Sequence, residues 1–210
     1  MIDESRLCEL RASIEGKLSP KRARHTLEVE KMVARLGELY APDKIPMLRA
    51  AALLHDITKE YKTEYQIMLS ARYGLAVTKE DLLSPKTFHA RTAAAMIPEE
   101  YPEFADEELV SCVRYHTTGR KGMTLCEQLL YLADYIDLSR TFADCVTLRN
   151  EFFDAHPEHM SMEERLCHLR RIMIRSFDMT VRGLLEDGGI ISADTFLARN
   201  EMVREEKESR

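Results

Sequence analysis

No apolar run in this sequence approaches the roughly 18 to 20 consecutive residues that a membrane-spanning helix needs. The first residues, 1–5, have neither a basic flank nor an apolar signal core. A formal net charge of -6 argues against a general binder of nucleic acid or of anionic membranes. We therefore expect a cytoplasmic protein with neither type of partner, in which an anionic substrate must meet a local group of cations or metal ions.

The few cysteines do not form a pattern typical of a disulfide framework. The five cysteines are odd in number and contain no CxxC pair, which argues against a zinc knuckle and favours a reducing compartment. Because free cysteine packs as a small hydrophobe, we expect these side chains to fill the core.

Glycine totals only 8 residues, and no convincing alternating strand is present. Apolar residues recur instead at three- and four-residue steps, which predicts an all-α fold. We expect one domain at residues 1–200, followed by a charged C-terminal tail at residues 201–210. Helix starts are predicted at three capping boxes, Thr63 with Gln66, Thr124 with Glu127, and Ser161 with Glu164.

The long C-terminal helix that starts at the last capping box has an apolar set open to two interpretations. Its members are Met162, Leu166, Leu169, Ile172 and Ile174. Such a set fits either the core or a homodimer interface, and we favour the core.

Four of the seven histidines lie on apolar helical stripes or at their ends. They are His25, His55, His89 and His116, and two aspartates, Asp56 and Asp134, have similar surroundings. A hydrogen-bonded core histidine explains any one of them. Because a buried carboxylate needs a cationic partner, and because imidazoles and carboxylates that converge inside a helical bundle are typical of metal sites, the set as a whole predicts a metal centre.

The order H…HD…H…H…D resembles the HD-domain metal-dependent phosphohydrolases. The strings RHTLEV, AALLHDITK, RYHTTGRKGM, LLYLADYIDLSRTF and GGIISADTFLARN are similar to the YqeK-type members, the bacterial symmetrical bis(5'-nucleosyl)-tetraphosphatases. The resemblance covers residues 5–200. It implies an HD-domain helical bundle with a dinuclear metal site in its core.

The resemblance also implies a set of ligands for two divalent metal ions, iron first, with manganese or another divalent ion as alternatives. One ion would be bound by His25, His55, Asp56 and Asp134, and the other by Asp56, His89 and His116. Asp56 would bridge the two. Mixed imidazole and carboxylate ligands suit borderline first-row metals, whereas an all-oxygen set would indicate magnesium or calcium.

The implied reaction is symmetrical hydrolysis of a small-molecule nucleotide, diadenosine tetraphosphate, to two nucleoside diphosphates by a hydroxide that bridges the metals. Catalytic roles would fall to Asp56 and Lys59, and substrate contacts to Thr117, Thr118, Gly119 and Arg140. The alternatives are an HD phosphohydrolase acting on other nucleotides, a nucleotide-sensing protein with a structural metal site, and a di-iron oxygenase.

The chain departs from the family pattern at two places. Ala90 and Ala93 stand after His89 where relatives tend to carry glycine, and Lys121 stands where proline is common. These changes remove no ligand, and they bear on the shape of the substrate pocket.

Overall fold

The computed structural model describes residues 2–208, and every regular element in that range is helical. The predicted all-α class is therefore confirmed. The α-helices are α1 (Glu4–Lys17), α2 (Pro20–Tyr40), α3 (Ile45–Leu54), α4 (Thr63–Arg72), α5 (Lys79–Leu83), α6 (Phe88–Glu100), α7 (Glu107–Tyr115), α8 (Leu125–Ile136), α9 (Ala143–Asp154), α10 (Met162–Glu186) and α11 (Ala193–Glu208). None of these helices is long and apolar enough to cross a membrane.

The core forms where α2 packs against α3 and α8, while α7 packs against α3, α6 and α8. The apolar stripe of α2 is buried as its spacing predicts, and Val29 and Val33 have no exposed surface. Leu53 of α3 and Leu129 of α8 are equally buried. Five helices thus enclose one interior, and the histidines and aspartates singled out above lie on these helices or directly after their ends.

The cysteines agree with the prediction in part. Cys112, Cys126 and Cys145 are buried, and Cys167 is half-buried. Cys8 is exposed on α1 and is not core filler, because the inward face of that helix is taken by Leu7, Leu10 and Ile14.

Two of the three predicted capping boxes are confirmed. Thr124 and Glu127 exchange side-chain and backbone hydrogen bonds at the start of α8, and Ser161 and Glu164 do so at the start of α10. The box predicted at Thr63 and Gln66 is wrong, since Lys62 is the residue that precedes α4 and it makes no capping bond. The Gln66 amide is buried instead, where it donates to the carbonyl of Thr58.

Helix α6 begins later than Ser84 and Pro85, which are residue types of a helix start, and ends later than Pro98, which is a residue type of a helix stop. Ser84 and Pro85 open a short 3-10 turn at Pro85–Thr87, and the α-helix starts at Phe88. Pro98 does not stop the helix, which continues to Glu100. A proline in the last turn removes a single backbone donor, and the backbone N–H of Tyr101 still bonds to the carbonyl of Ile97.

The segment expected to be a charged tail is helical over residues 201–208. Helix α11 runs to Glu208, packs against α10 and buries Met202, and Glu206 accepts a hydrogen bond from Arg171 of α10 at 3.1 Å. On α10 itself, Leu169 and Ile172 are buried, whereas Met162 and Leu166 are exposed. The division of the chain at residue 200 stays a prediction, and residues 209–210 of the tail lie outside the described range.

Candidate metal centre

Five segments of the chain bring all six predicted ligands to one place. His25 comes from α2, His89 from the first turn of α6, and Asp134 from the last turns of α8. His55 with Asp56 follows α3 directly, and His116 follows α7. The four histidines and Asp56 are buried, and the side chain of Asp134 is 16% exposed. The centre therefore has one side that reaches solvent.

The histidine-aspartate pair is placed by the way α3 ends. The helix stops at Leu54, and residues 55–60 form a series of turns. The imidazole Nδ1–H of His55 reaches the carbonyl of Ala52 at 2.6 Å, and the backbone N–H of Lys59 donates to the carbonyl of Asp56 at 3.0 Å. The side chain of His55 thus satisfies one of the carbonyls that a helix end leaves free. Lys59 therefore lies in a turn and not on a helix, and its ammonium lies at the centre, 3.1 Å from Nε2 of His89.

All four imidazoles turn Nε2 toward the aspartates of the centre. Nδ1 of His89 lies 2.8 Å from the carbonyl of Lys86, and Nδ1 of His116 lies 2.7 Å from the carbonyl of Val113. A carbonyl only accepts, so in both rings Nδ1 carries the proton and Nε2 presents its lone pair. This is the state in which a neutral imidazole binds a metal.

One half of the centre contains His25, His55 and Asp134. Nε2 of His25 lies 2.9 Å from Oδ1 of Asp134, and Nε2 of His55 lies 3.8 Å from the same oxygen. Oδ2 of Asp56 is 3.7 Å from Nε2 of His25 and 3.4 Å from Nε2 of His55.

The other half contains His89 and His116. Their Nε2 atoms are 3.1 Å apart, and they lie 3.2 Å and 3.8 Å from Oδ1 of Asp56. Asp56 therefore gives one carboxylate oxygen to each pair of histidines.

The donor atoms fit divalent metal ions. Bonds of about 2.0 to 2.2 Å at angles of about 90° or more place neighbouring ligand atoms about 3 to 4 Å apart, which matches the distances in both halves. In addition, His25 Nε2, His55 Nε2 and Asp56 Oδ1 are buried and have no hydrogen-bond partner. Buried polar atoms are normally satisfied, so three inward-facing atoms without a partner indicate a cation between them.

The electrostatics of the centre keep these groups in metal-binding forms. Burial alone would raise the pKa of Asp56, but the neighbouring His55 and His116 outweigh it and hold that pKa well below its usual value. Burial lowers the pKa of His89 and of His116, so that both rings stay neutral. Because a metal must displace protons from its ligands, an ionised carboxylate beside neutral imidazoles is suited to binding.

The pKa of His25 shifts in the opposite direction, upward. Burial acts to lower its pKa, but the carboxylates of Asp134 and Asp137 outweigh burial and raise it to about 9. The same negative charge that attracts a proton to this ring attracts a metal cation in its place.

Cations line the side of the centre that reaches solvent. Lys59 Nζ lies 3.1 Å from Nε2 of His89, and Arg140 Nη2 lies 2.6 Å from Oδ1 of Asp134. Arg22 was missed by sequence reasoning, and its Nη1 lies 2.6 Å from Oδ2 of Asp56. Burial lowers the pKa of Lys59, and the positive charges of Arg22 and Arg140 add to the shift. The available signal for Arg22 was its position three residues before His25, nearly one turn along α2.

The predicted substrate contacts divide into two groups. The hydroxyl of Thr117 lies 3.2 Å and 3.1 Å from the Nε2 atoms of the two histidines in the second half, His89 and His116. Thr118 instead accepts a hydrogen bond from Thr195 through its carbonyl. Gly119 has a φ of +65°, and a Cβ there would meet the ring of Phe177 at 2.8 Å. Backbone geometry and packing therefore account for Gly119, and substrate roles for both residues stay predictions.

The departures after His89 do not alter the centre directly. Ala90 and Ala93 are buried in helix packing, and Arg91 donates to Asp81 at 2.7 Å.

Asp137 is a second residue that sequence reasoning missed. Its side chain is fully buried, and its Oδ2 lies 3.2 Å from Nδ1 of His25. It stands three residues after Asp134, so the available signal was a second aspartate at helical spacing in the same string.

Comparison with known proteins gives a family match. The sequence profile of the HD domain family matches residues 22–139, a range that includes all six predicted ligands, Arg22 and Asp137. A symmetrical bis(5'-nucleosyl)-tetraphosphatase of Bacillus subtilis (strain 168) is 29% identical over 195 residues, covering 93% of this chain and 96% of the relative. A protein of the same description from Staphylococcus aureus is 36% identical over 138 residues, 64% of this chain and 68% of that relative.

A solved structure shares the fold over nearly the full length. It is the crystal structure of a predicted HD superfamily hydrolase involved in NAD metabolism from Clostridium acetobutylicum. The TM-score is 0.81 at 26% identity, with 94% of this chain and 96% of the other covered.

Proposed function

This chain belongs to the HD domain family, and from that membership we propose that it is a metal-dependent hydrolase that cleaves dinucleoside tetraphosphates symmetrically into two nucleoside diphosphates. The tetraphosphatases to which it is similar support the substrate class. The observation that carries the proposal is the division of Asp56, one oxygen toward His25 and His55 and the other toward His89 and His116.

The proposed centre binds two divalent cations. His25, His55, Asp56 and Asp134 would bind one, and Asp56, His89 and His116 the other. Iron is the first choice, because mixed nitrogen and oxygen ligands suit borderline first-row metals, and manganese or another divalent ion is the alternative. Such cations, when bound, would supply positive charge for the phosphoryl oxygens and would favour deprotonation of a water near neutral pH.

The chain's own residues bind and orient the polyphosphate. Lys59, Arg140 and Arg22 place three cations along the open side of the centre, where a chain of four phosphates would lie. The two guanidinium groups offer planar paired donors for phosphate oxygens. Lys59 lies beside His89 and is the group we assign to the phosphoryl oxygens nearest the cleaved bond. The hydroxyl of Thr117, 3.2 Å from the same His89 Nε2, is a further donor for phosphate oxygens.

The remaining parts of the proposal concern the setting of the enzyme. We propose a cytoplasmic enzyme that acts on a small nucleotide and binds neither nucleic acid nor membrane. The apolar set of α10 serves the core through Leu169 and Ile172, and a homodimer is the alternative use that we propose for the exposed Met162 and Leu166.

The test is a product assay with metal analysis. Purified protein is loaded with Fe²⁺ or Mn²⁺ and given diadenosine tetraphosphate, and the nucleotides are separated by anion-exchange chromatography. We expect ADP alone. AMP together with ATP would rule out symmetrical cleavage, and turnover of mononucleotides in preference to the tetraphosphate would favour the alternative HD phosphohydrolase.

A further inference from the structure

His25 differs from the other three imidazoles in what its outer nitrogen contacts. His55, His89 and His116 each direct Nδ1 to the backbone carbonyl three residues earlier, at 2.6 to 2.8 Å. Nδ1 of His25 faces side chains instead, namely the Asp137 carboxylate at 3.2 Å and the Ser139 hydroxyl at 3.1 Å. One ring of the four therefore has an anion behind it.

The carboxylate of Asp137 is held in one orientation. The backbone N–H of Ser139 donates to Oδ1 of Asp137 at 2.8 Å, and the Ser139 hydroxyl donates to the same oxygen. Oδ2 is left facing His25, with Nε of Arg140 at 3.4 Å. The side chain has no exposed surface.

Stability of the helix does not explain this carboxylate. Asp137 stands at the C-terminal cap of α8, where the helix dipole and the free carbonyls disfavour negative charge. Burial adds a desolvation cost. Ser139 and Arg140 offset part of these costs, yet Oδ2 of Asp137 is buried without a hydrogen-bond partner beside His25, which indicates a role at that ring.

We propose that Asp137 is a positioning residue for His25. Its Oδ2 lies 3.2 Å behind Nδ1, and its Oδ1 holds the Ser139 hydroxyl that accepts the Nδ1–H of the ring. This arrangement keeps Nε2 directed at Asp134 and Asp56 and makes Nε2 a stronger electron-pair donor to a metal. Carboxylates behind metal-binding histidines act in this way, and their loss weakens metal binding about 10- to 100-fold. The inference rests on the metal centre of the proposed function. It assigns Asp137 control over the ion of the His25 half, with the His89 half unaffected.

The experiment measures metal affinity apart from hydrolysis. Mn²⁺ is titrated into the chelated full-length protein, with bound metal counted by elemental analysis and the number of coupled ions read by electron paramagnetic resonance. The variants are Asp137→Ala and Asp137→Asn. All proteins carry His156→Ala and His159→Ala, because these exposed rings and Glu158 place three possible ligand atoms together on the surface and would add to the count.

The matched control is Glu127→Gln. Glu127 is also fully buried and lies in the first turn of the same helix, α8, but it contacts Ser111 and Arg120. We expect wild type and Glu127→Gln to bind equally. Asp137→Ala should bind one ion about 10- to 100-fold more weakly and show uncoupled Mn²⁺ at intermediate concentrations. Asp137→Asn retains an accepting oxygen and should fall between the two.

A double-variant cycle separates positioning from general structure. In a His25→Ala background, Asp137→Ala should cause no further loss, because the ring through which it acts is gone. Equal weakening with and without His25, or unchanged affinity for both ions in Asp137→Ala, would overturn the proposal. If the alanine variant does not fold, Asp137→Asn decides by the same readouts. Normal metal binding without tetraphosphate cleavage would refute the proposed function alone.

Discussion

Asp56→Asn is the substitution that most directly tests a shared centre. The change keeps the shape of the side chain and removes the charge. Oδ1 lies 3.2 Å from His89 and Oδ2 lies 3.4 Å from His55, so a single carboxylate serves both halves. If each oxygen binds one ion, the variant loses both ions together. Replacement of a ligand that contacts only one ion should release only that ion.

The stability cost of this substitution can be bounded from the ion pair it breaks. Oδ2 of Asp56 lies 2.6 Å from Arg22, and the Arg22 side chain is 25% exposed. Breaking a fully buried pair costs about 3 to 5 kcal/mol. Solvent around Arg22 reduces this to about 1 to 3 kcal/mol. A domain with a free energy of unfolding of about 5 to 15 kcal/mol remains folded, so metal loss can be measured on native protein.

The effect on the reaction is larger than the effect on folding. Removal of the metal ions forfeits several kcal/mol of transition-state stabilisation, and about 4 kcal/mol corresponds to a 10³-fold loss of rate. We expect no bound metal by elemental analysis, a native circular dichroism spectrum, and ADP formation reduced at least about 10³-fold. Asp106→Asn is the control, because Asp106 is an exposed helix cap that asparagine replaces well. Two bound ions and normal turnover in Asp56→Asn would refute the shared centre.

Further predictions concern the cations, the packing and the pH response. Lys59→Met should lower kcat/KM for diadenosine tetraphosphate by roughly 10- to 150-fold and leave the metal content unchanged. This loss is equivalent to about 1.5 to 3 kcal/mol, the contribution of a hydrogen bond to a charged group. The control is Lys31→Met, at a residue whose side chain is 70% exposed, and it should change neither kcat/KM nor metal content. Gly119→Ala should lower the free energy of unfolding in urea by about 2 to 4 kcal/mol, because φ is +65° and the added Cβ meets Phe177 at 2.8 Å. An unchanged urea concentration at the midpoint of unfolding would contradict this prediction. In chelated protein, the pKa of His25 rises from 6.5 to about 9 under the influence of Asp134 and Asp137, so the native state retains a proton that the unfolded chain releases at lower pH. Protonated His25 should therefore contribute fully to the free energy of unfolding below pH 6.5, and this contribution should disappear as the pH rises through 9. In metal-loaded protein the ring binds the metal in its neutral form, so the free energy of unfolding should not fall over this pH range.

The helices and the convergence of the six candidate ligands were largely predictable from sequence. Helical periodicity determines which residues share an inward face, and so His25 could be placed with Val29 and Val33 without a structure. A capping box joins residues only three apart, and the boxes of Thr124 with Glu127 and of Ser161 with Glu164 were predicted correctly. The predicted box at Thr63 failed because Gln66 had a better partner in Thr58, which lies in the turns after α3.

Contacts between helix ends were not predictable in the same way. The placement of Arg22 on Asp56 depends on how α2 crosses the turn after α3, and that of Asp137 behind His25 depends on how α8 ends beside α2. Helix α11 likewise extends to Glu208 because α10 offers it a surface. These contacts join residues that are distant in the chain, so no local sequence pattern predicts them.

The sequence by itself therefore determined the fold class and the six candidate ligands, because periodicity and residue chemistry are local properties of the chain. Only the tertiary structure decided that Asp56 turns one oxygen to each pair of histidines, that Arg22 joins Lys59 and Arg140 on the open side, and that the outer nitrogen of His25 faces the Asp137 carboxylate where the other three imidazoles face backbone carbonyls. Such geometry is set where helices from different parts of the chain meet.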